Sequence, residues 1–304
     1  MINGVICINK EQNMTSHDVC FKVRKILGEK KIGHSGTLDP MATGVMGVLV
    51  GRSTKLSSYI TAFEKEYIAN IEFGKESDSY DIWTATREVS LPDFSLDEFI
   101  FAINKFKGNI TQTPPIYSAI KVKGKPLYKY ALEGKEVEIP SREVYINDIE
   151  VIDTDLPRYA TIKVSCSKGT YIRSLISDIG KELGTRAVMS GLIRTKNGAL
   201  KIENSITLSE LEEKVVSGQL KDVLQNDDLF LKDLERVDIN PRSSKIILNG
   251  NALIRKNILT NVSEIKENSL VRLYLDDKFI GVGKRVEEEN IWIRPIKILY
   301  GEQK

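Results

Sequence analysis

A chain of 304 residues with 44 Lys plus Arg against 42 Asp plus Glu carries a net charge of +2, and 41% of it is hydrophobic. That balance excludes a largely disordered chain, and the length predicts about two domains. Its longest near-apolar run, Met41 to Val50, is too short to cross a bilayer, and the N-terminal residues lack the basic start and cleavage site of a secretory leader.

Residues 2–9 read as a strand. Ser16 then suits the N-cap of a helix carrying Val19, Val23, Ile26 and Leu27 on one face and Lys22, Arg24 and Lys25 on the other, with Gly28 closing it. A polar, Gly-rich loop follows from Gly33 to Pro40. Residues 65–73 alternate, with Tyr67, Ala69, Ile71 and Phe73 on one face, the period of a half-buried strand. Ser95-Leu-Asp-Glu98 is a capping box that opens a helix with Leu96, Phe99, Ile100, Ile103 and Phe106 inward and Gly108 as its stop. Thr113-Pro-Pro115 breaks regular structure before a short strand near Ser118–Val122. Residues 142–152 and 159–166 read as a strand pair, and 171–183 as a helix with Ile172, Leu175, Ile176 and Ile179 inward. Beyond Asn240-Pro241 lie short β runs at 270–275, 279–282 and 291–299. Strands and helices mix without regular βαβ alternation, so the fold class is α+β: a mixed-sheet domain over 1–239 and a small β-rich domain over 240–304.

The near-neutral total speaks against a nucleic-acid partner until it is divided. Residues 1–60 carry +4, 104–135 carry +6 and 163–201 carry +6, whereas 202–240 carry −6. Segregation of this kind is the form an electrostatic footprint for phosphates takes, although solvated Lys-rich faces would look the same. Three cysteines without a Cys-x-x-Cys pair argue against a disulfide framework and fit a reducing cytoplasm, and two histidines, His17 and His34, argue against a multi-histidine metal site.

Four stretches could carry chemistry. Gly33-His-Ser-Gly-Thr-Leu-Asp-Pro-Met-Ala-Thr-Gly44 holds one carboxylate, Asp39, in a tight backbone path, although Asp-Pro alone reads as a turn. Lys168-Gly-Thr-Tyr-Ile-Arg173 puts two cations at a helix start, which is unfavourable unless an anion sits there or water screens them. Tyr67 reads as a core aromatic. Lys121, Lys123 and Lys125 alternate near Tyr117 and Tyr128, a pattern that suits exposed bases and phosphates but also a charged hairpin edge.

Together these stretches resemble the TruB family of tRNA pseudouridine synthases. The likeness rests on Gly33–Gly44, Lys65-Glu-Tyr67, Tyr117-Ser-Ala-Ile-Lys121, Lys168–Arg173 and Leu192-Ile-Arg194, in that order, and covers about residues 2–215. It implies isomerisation of uridine-55 in the T-loop of tRNA to pseudouridine by a monomer, with no metal, organic cofactor, membrane or protein partner. It assigns Asp39 as nucleophile, at the sugar or at the base, and Arg173 as its partner. By the same resemblance Tyr67 would stack on the target base, with general-base chemistry as a second role, and Leu192 and Tyr171 would wall the pocket. The resemblance likewise implies that His34 meets the T-loop where the base leaves the stack, that Lys10 is an RNA-side or structural lysine, and that Lys121 and Lys168 are RNA contacts. The last domain resembles a PUA-type RNA-binding domain. Two departures stand out: Lys10-Glu-Gln-Asn13 replaces the family's Lys-Pro-x-Gly, with Asn13 left to make the turn, and Ile82-Trp-Thr84 follows Asp81 in place of an acidic-Gly turn. A non-catalytic tRNA-folding factor is the alternative on this scaffold. A glycoside hydrolase would need a second carboxylate, for which Asp81 is the obvious candidate.

Overall fold

The computed structural model describes residues 2–60, 63–288 and 290–300. Among them ten strands form one mixed sheet in the order 224–225, 4–10, 43–50, 187–197, 65–73, 159–166, 142–155 and 108–112, with short strands 32–34 and 200–201 at its margins. Within this sheet every described strand pairing is antiparallel except that of Thr43–Val50 with Ala187–Asn197, which runs parallel. The sheet is mixed and the fold is α+β.

Alternation along the strands sorts the core. From strands Gly4–Lys10 and Thr43–Val50, Ile6, Ile8, Met46 and Val48 pack under helices Ser16–Leu27 and Leu208–Val216. On the opposite face, Val5, Cys7, Val45 and Leu49 meet Phe230, Tyr274, Phe279 and Leu299. Strand Lys65–Phe73 presents Tyr67, Ala69, Ile71 and Phe73 to Leu175, Ile176 and Ile179 of helix Ile172–Glu182 and to Phe99 and Ile103 of helix Leu96–Asn104. A second sheet joins Glu235–Asp238, Leu270–Leu275, Lys278–Glu288 and Ile291–Ile298, so the β-rich unit takes in a strand from before Asn240.

Several local expectations need correction. Thr15, not Ser16, caps the first helix; its hydroxyl accepts from Asp18 N in a capping box, and Ser16 is buried. In helix Leu96–Asn104 the buried residues are Phe99, Ala102 and Ile103, while Leu96 and Ile100 face solvent. Gly108 does not stop that helix; it opens edge strand Gly108–Gln112. The strand sought near Ser118 is only Lys121–Val122, paired with Lys125–Pro126 around Lys123 and Gly124, both at positive φ. Asn13 does make the turn after Lys10, at φ 63.

Candidate active site

The loop from Ser35 to Ala42 bridges two adjacent strands, and the scaffold holds it along its length. Ser35 Oγ accepts from Gly47 N at 3.1 Å and from Asn197 Nδ2 at 2.8 Å. Arg194, 1% exposed, donates to Val45 O at 2.7 Å and reaches the carbonyls of Gly36 and Thr37. Ser16 Oγ accepts from Leu38 N at 2.9 Å. Lys10, fully buried, donates to the carbonyls of Glu11, Pro40 and Ala42 at 2.9, 3.0 and 2.6 Å. Asp39 is therefore a carboxylate on an irregular but fixed loop.

Arg173 reaches that carboxylate from the first turn of its helix. Its Nη2 donates to Asp39 Oδ1 at 3.1 Å, and Nε lies 2.9 Å from Oδ2. The guanidinium also donates to Ser79 O and Tyr117 O, each at 3.0 Å, and meets Asp81 Oδ2 at 3.5 Å. A cation at a positive helix end is thus offset by two carboxylates and two carbonyls. Asp81 sits behind the guanidinium, where burial raises its pKa against the opposing pull of Ser79 and Arg173. It is not among the cavity-lining residues, so it does not form with Asp39 the flanking pair that glycoside hydrolysis needs.

Beside the pair opens a cavity of about 260 Å³. Of the residues expected at the site, Asp39, Tyr67, Lys168, Tyr171, Arg173 and Leu192 line it. The sheet explains the convergence: Arg194 stands opposite Tyr67 in the register and Leu192 opposite Ala69, so the strand residues crowd together. Burial raises the Tyr67 phenol pKa, with Arg194 opposing, so it is protonated at neutral pH. Three expected residues lie elsewhere. Lys10 is sealed beneath the loop, a scaffold position rather than an RNA-facing one. His34 borders a separate depression with Asp18 and Arg24, its ring edge-on to His17 at 5.5 Å. Burial, reinforced by His17, lowers its pKa and keeps it neutral near pH 7. Lys121 is exposed on the short hairpin.

Sequence reasoning quoted Lys65 and Arg194 within motifs without selecting them, yet both line the cavity. The signal was available: Lys65 and Tyr67, like Leu192 and Arg194, are two apart on a strand and so share a face. Burial brings the Lys65 ammonium down to about 8, with Arg194 adding to the effect. Arg142, whose guanidinium lies 5.2 Å from the Tyr171 ring centre, was missed outright, because only the pairing of distant strands brings it there. No cluster of three or more His, Cys, Asp or Glu able to hold a metal occurs among the described residues. No helix among them is long and apolar enough to cross a membrane.

Solved structures share this architecture. A chain of a Cbf5-Nop10-Gar1 complex superposes with a TM-score of 0.78 at 28% identity, over 98% of this chain and 85% of that one. A chain of an H/ACA RNP bound to a substrate RNA containing 2′-deoxyuridine gives 0.76 at 26%, over 97% and 84%. Residues 24–172 match the model of the TruB family pseudouridylate synthase N-terminal domain, and residues 173–234 that of the tRNA pseudouridylate synthase B C-terminal domain. Fold and site together define a pseudouridine synthase. Proteins named tRNA pseudouridine synthase B are similar over nearly their whole length. That of Clostridium tetani is 43% identical over 94% of this chain and 97% of its own, and that of Listeria innocua 39% over 99% and 100%. The chain belongs to the TruB family.

Proposed function

We propose that this chain isomerises uridine-55 in the T-loop of tRNA to pseudouridine, as a cytoplasmic monomer needing no metal or organic cofactor. The observation that carries the reading is the Asp39–Arg173 pair in the wall of a 260 Å³ cavity. That space equals roughly nine waters, enough for a single nucleoside but not a stacked loop. The target base must therefore leave its stack to enter.

The reaction breaks the C1′–N1 bond, turns the freed uracil and joins C1′ to C5; C5 gives up its proton and N1 gains one. Asp39 supplies the electron pair that traps the electron-poor sugar carbon as N1 leaves, and it departs as C5 arrives. Addition to C6 of the base would use the same carboxylate. Arg173 engages both carboxylate oxygens and fixes the direction of attack. Tyr67, as a neutral phenol, offers its ring face to the uracil, with Leu192 as an apolar wall. To accept the C5 proton, the phenol would first have to pass on its own. Tyr171 and Lys168 border the sugar and phosphate, Lys121 extends the basic rim, and His34 meets the loop where the base has left it. The catalytic unit spans 1–239, and an RNA-binding unit over 240–304 adopts strand 235–238 as its edge.

Tritium release from tRNA carrying 5-tritiated uridine tests the reading. Asp39→Asn is expected to bind tRNA within about threefold of wild type and to release no tritium. Turnover by this variant at the wild-type rate would refute the assignment. Wild-type binding without release would favour a tRNA-folding factor instead.

A further inference from the structure

Edge strand Gly108–Gln112 and the chain leaving it grip the start of helix Ile172–Glu182 at three successive points. Gln112, 1% exposed, uses both ends of its amide on one residue: Nε2 donates to Tyr171 O at 3.1 Å, and Oε1 accepts from Tyr171 N at 2.8 Å. Only this amide orientation satisfies both contacts, since a carbonyl needs a donor and an N–H an acceptor. One residue on, Thr113 O accepts from Ser174 Oγ at 2.8 Å. Further along, Tyr117 O accepts from Arg173 Nη2, the nitrogen that also donates to Asp39.

Tyr171 is the N-cap of this helix and makes no side-chain capping bond. The apolar stripe of Leu175, Ile176 and Ile179 fixes the helix against the sheet, but such packing is non-directional and tolerates small slides along the axis. Paired hydrogen bonds do not, because their strength falls steeply as angle and distance change. We propose that Gln112 is a positioning residue for the reaction: its amide locks the start of the helix, and thereby the Tyr171 ring and the Arg173 guanidinium, in register with Asp39. Gln112 touches no reacting atom and does not line the cavity; it acts through the two residues that do. The inference rests on the isomerase reading above.

The test is single-turnover pseudouridine formation at saturating enzyme, beside tRNA affinity, for wild type, Gln112→Met and Ser174→Ala. Methionine keeps the length and most of the volume of glutamine but makes neither hydrogen bond, so packing is preserved while positioning is lost. A displacement of about 1 Å can cost on the order of a hundredfold in rate, and Gln112→Met is expected to react about tenfold or more slower. Its tRNA affinity should stay within about threefold, with the assay run well below its melting midpoint. Ser174→Ala, which breaks the neighbouring contact, is expected to show the same pattern at about threefold, and it decides the matter if Gln112→Met does not fold. Rates within twofold of wild type, or a loss confined to tRNA affinity, would overturn the proposal. A wild-type enzyme that forms no pseudouridine in this assay would overturn the isomerase reading itself, a separate and recognisable outcome.

Discussion

Lys10 brings a charge into a fully buried position, and burial pulls its pKa from 10.5 to about 8, with Asp39 opposing the shift. Between those two values the unfolded chain still holds a proton that the folded chain has released, so this group makes stability rise with pH across that window. Lys65, also brought down to about 8, acts in the same direction. Lys10→Met should remove the share due to Lys10. The wild-type advantage in unfolding free energy, read from urea midpoints, is expected to be larger at pH 10 than at pH 8. An advantage that is flat or shrinks would mean the ammonium is not held in this environment. The same substitution leaves the Pro40 and Ala42 carbonyls without their donor, which loosens the loop under Asp39, and turnover should fall about tenfold, equivalent to roughly 1.4 kcal/mol of lost positioning. None of this was legible from Lys10 itself. A lysine beside a strand reads as solvated, and its partners, thirty residues downstream, come to it only because strands Gly4–Lys10 and Thr43–Val50 pair with Lys10 opposite Gly44.

Elements were legible where one face alone is buried. The alternation of 65–73 and the capping box at Ser95 are local signals: the strand forms as read, and the helix starts as read although its buried face and its end differ. The two strands beside the active-site loop were not read. Thr43–Val50 is buried on both faces, so it shows an apolar run instead of alternation. Ala187–Asn197 is broken by register shifts at Met189/Gly191 and Arg194/Lys196, which reset the period of two. These strands meet in the one parallel strand pairing described within the large sheet, Gly44 opposite Arg194, and there the backbones come very close. Gly44 has φ +98, and a Cβ on it would lie 2.3 Å from Arg194 O. Gly44→Ala therefore meets both backbone strain and a clash that no side-chain rotation can relieve. It should cost about 3 kcal/mol or more, in the tail of point substitutions, and abolish turnover by displacing Arg194 from the Gly36 and Thr37 carbonyls. Chemical denaturation and tritium release would measure the two effects. A variant with wild-type stability would show that the strands separate without cost.

At the scale of the molecule, a net charge of +2 conceals windows of +4, +6 and +6 set against −6. The 104–135 and 163–201 windows both contribute to the cavity or its rim, through Ser118, Lys168 and Arg173, whereas the acidic 202–240 window packs over the N-terminal strands through Leu208, Leu211, Phe230 and Leu231. If the basic side meets tRNA, affinity must fall with salt; neutralising about four phosphates corresponds to roughly a hundredfold loss between 50 and 200 mM. Salt-independent binding would contradict that interface. The β-rich unit is the part whose role composition could not reveal, because period-two runs foretell strands but not what covers them. Tyr274, Phe279, Val282 and Leu299 share one core with Val5, Cys7, Val45 and Leu49 of the large sheet. Each large apolar side chain so buried is worth roughly 1.5–3 kcal/mol, and in a chain this size each kcal/mol moves the melting point by about 2–4 °C. A chain ending at residue 234 uncovers that face. It is expected to melt more than about 10 °C below the full chain and to bind a hydrophobic dye before melting, as followed by calorimetry and dye fluorescence. Ending it at 239 instead keeps Glu235–Asp238 but removes its partner strand, Leu270–Leu275, and should gain nothing. If the shortened chain melted with the full chain and bound no dye, the second sheet would be an appendage. The shared core argues instead that it is a wall of the catalytic unit, so removing it should cost folding before it costs RNA recognition.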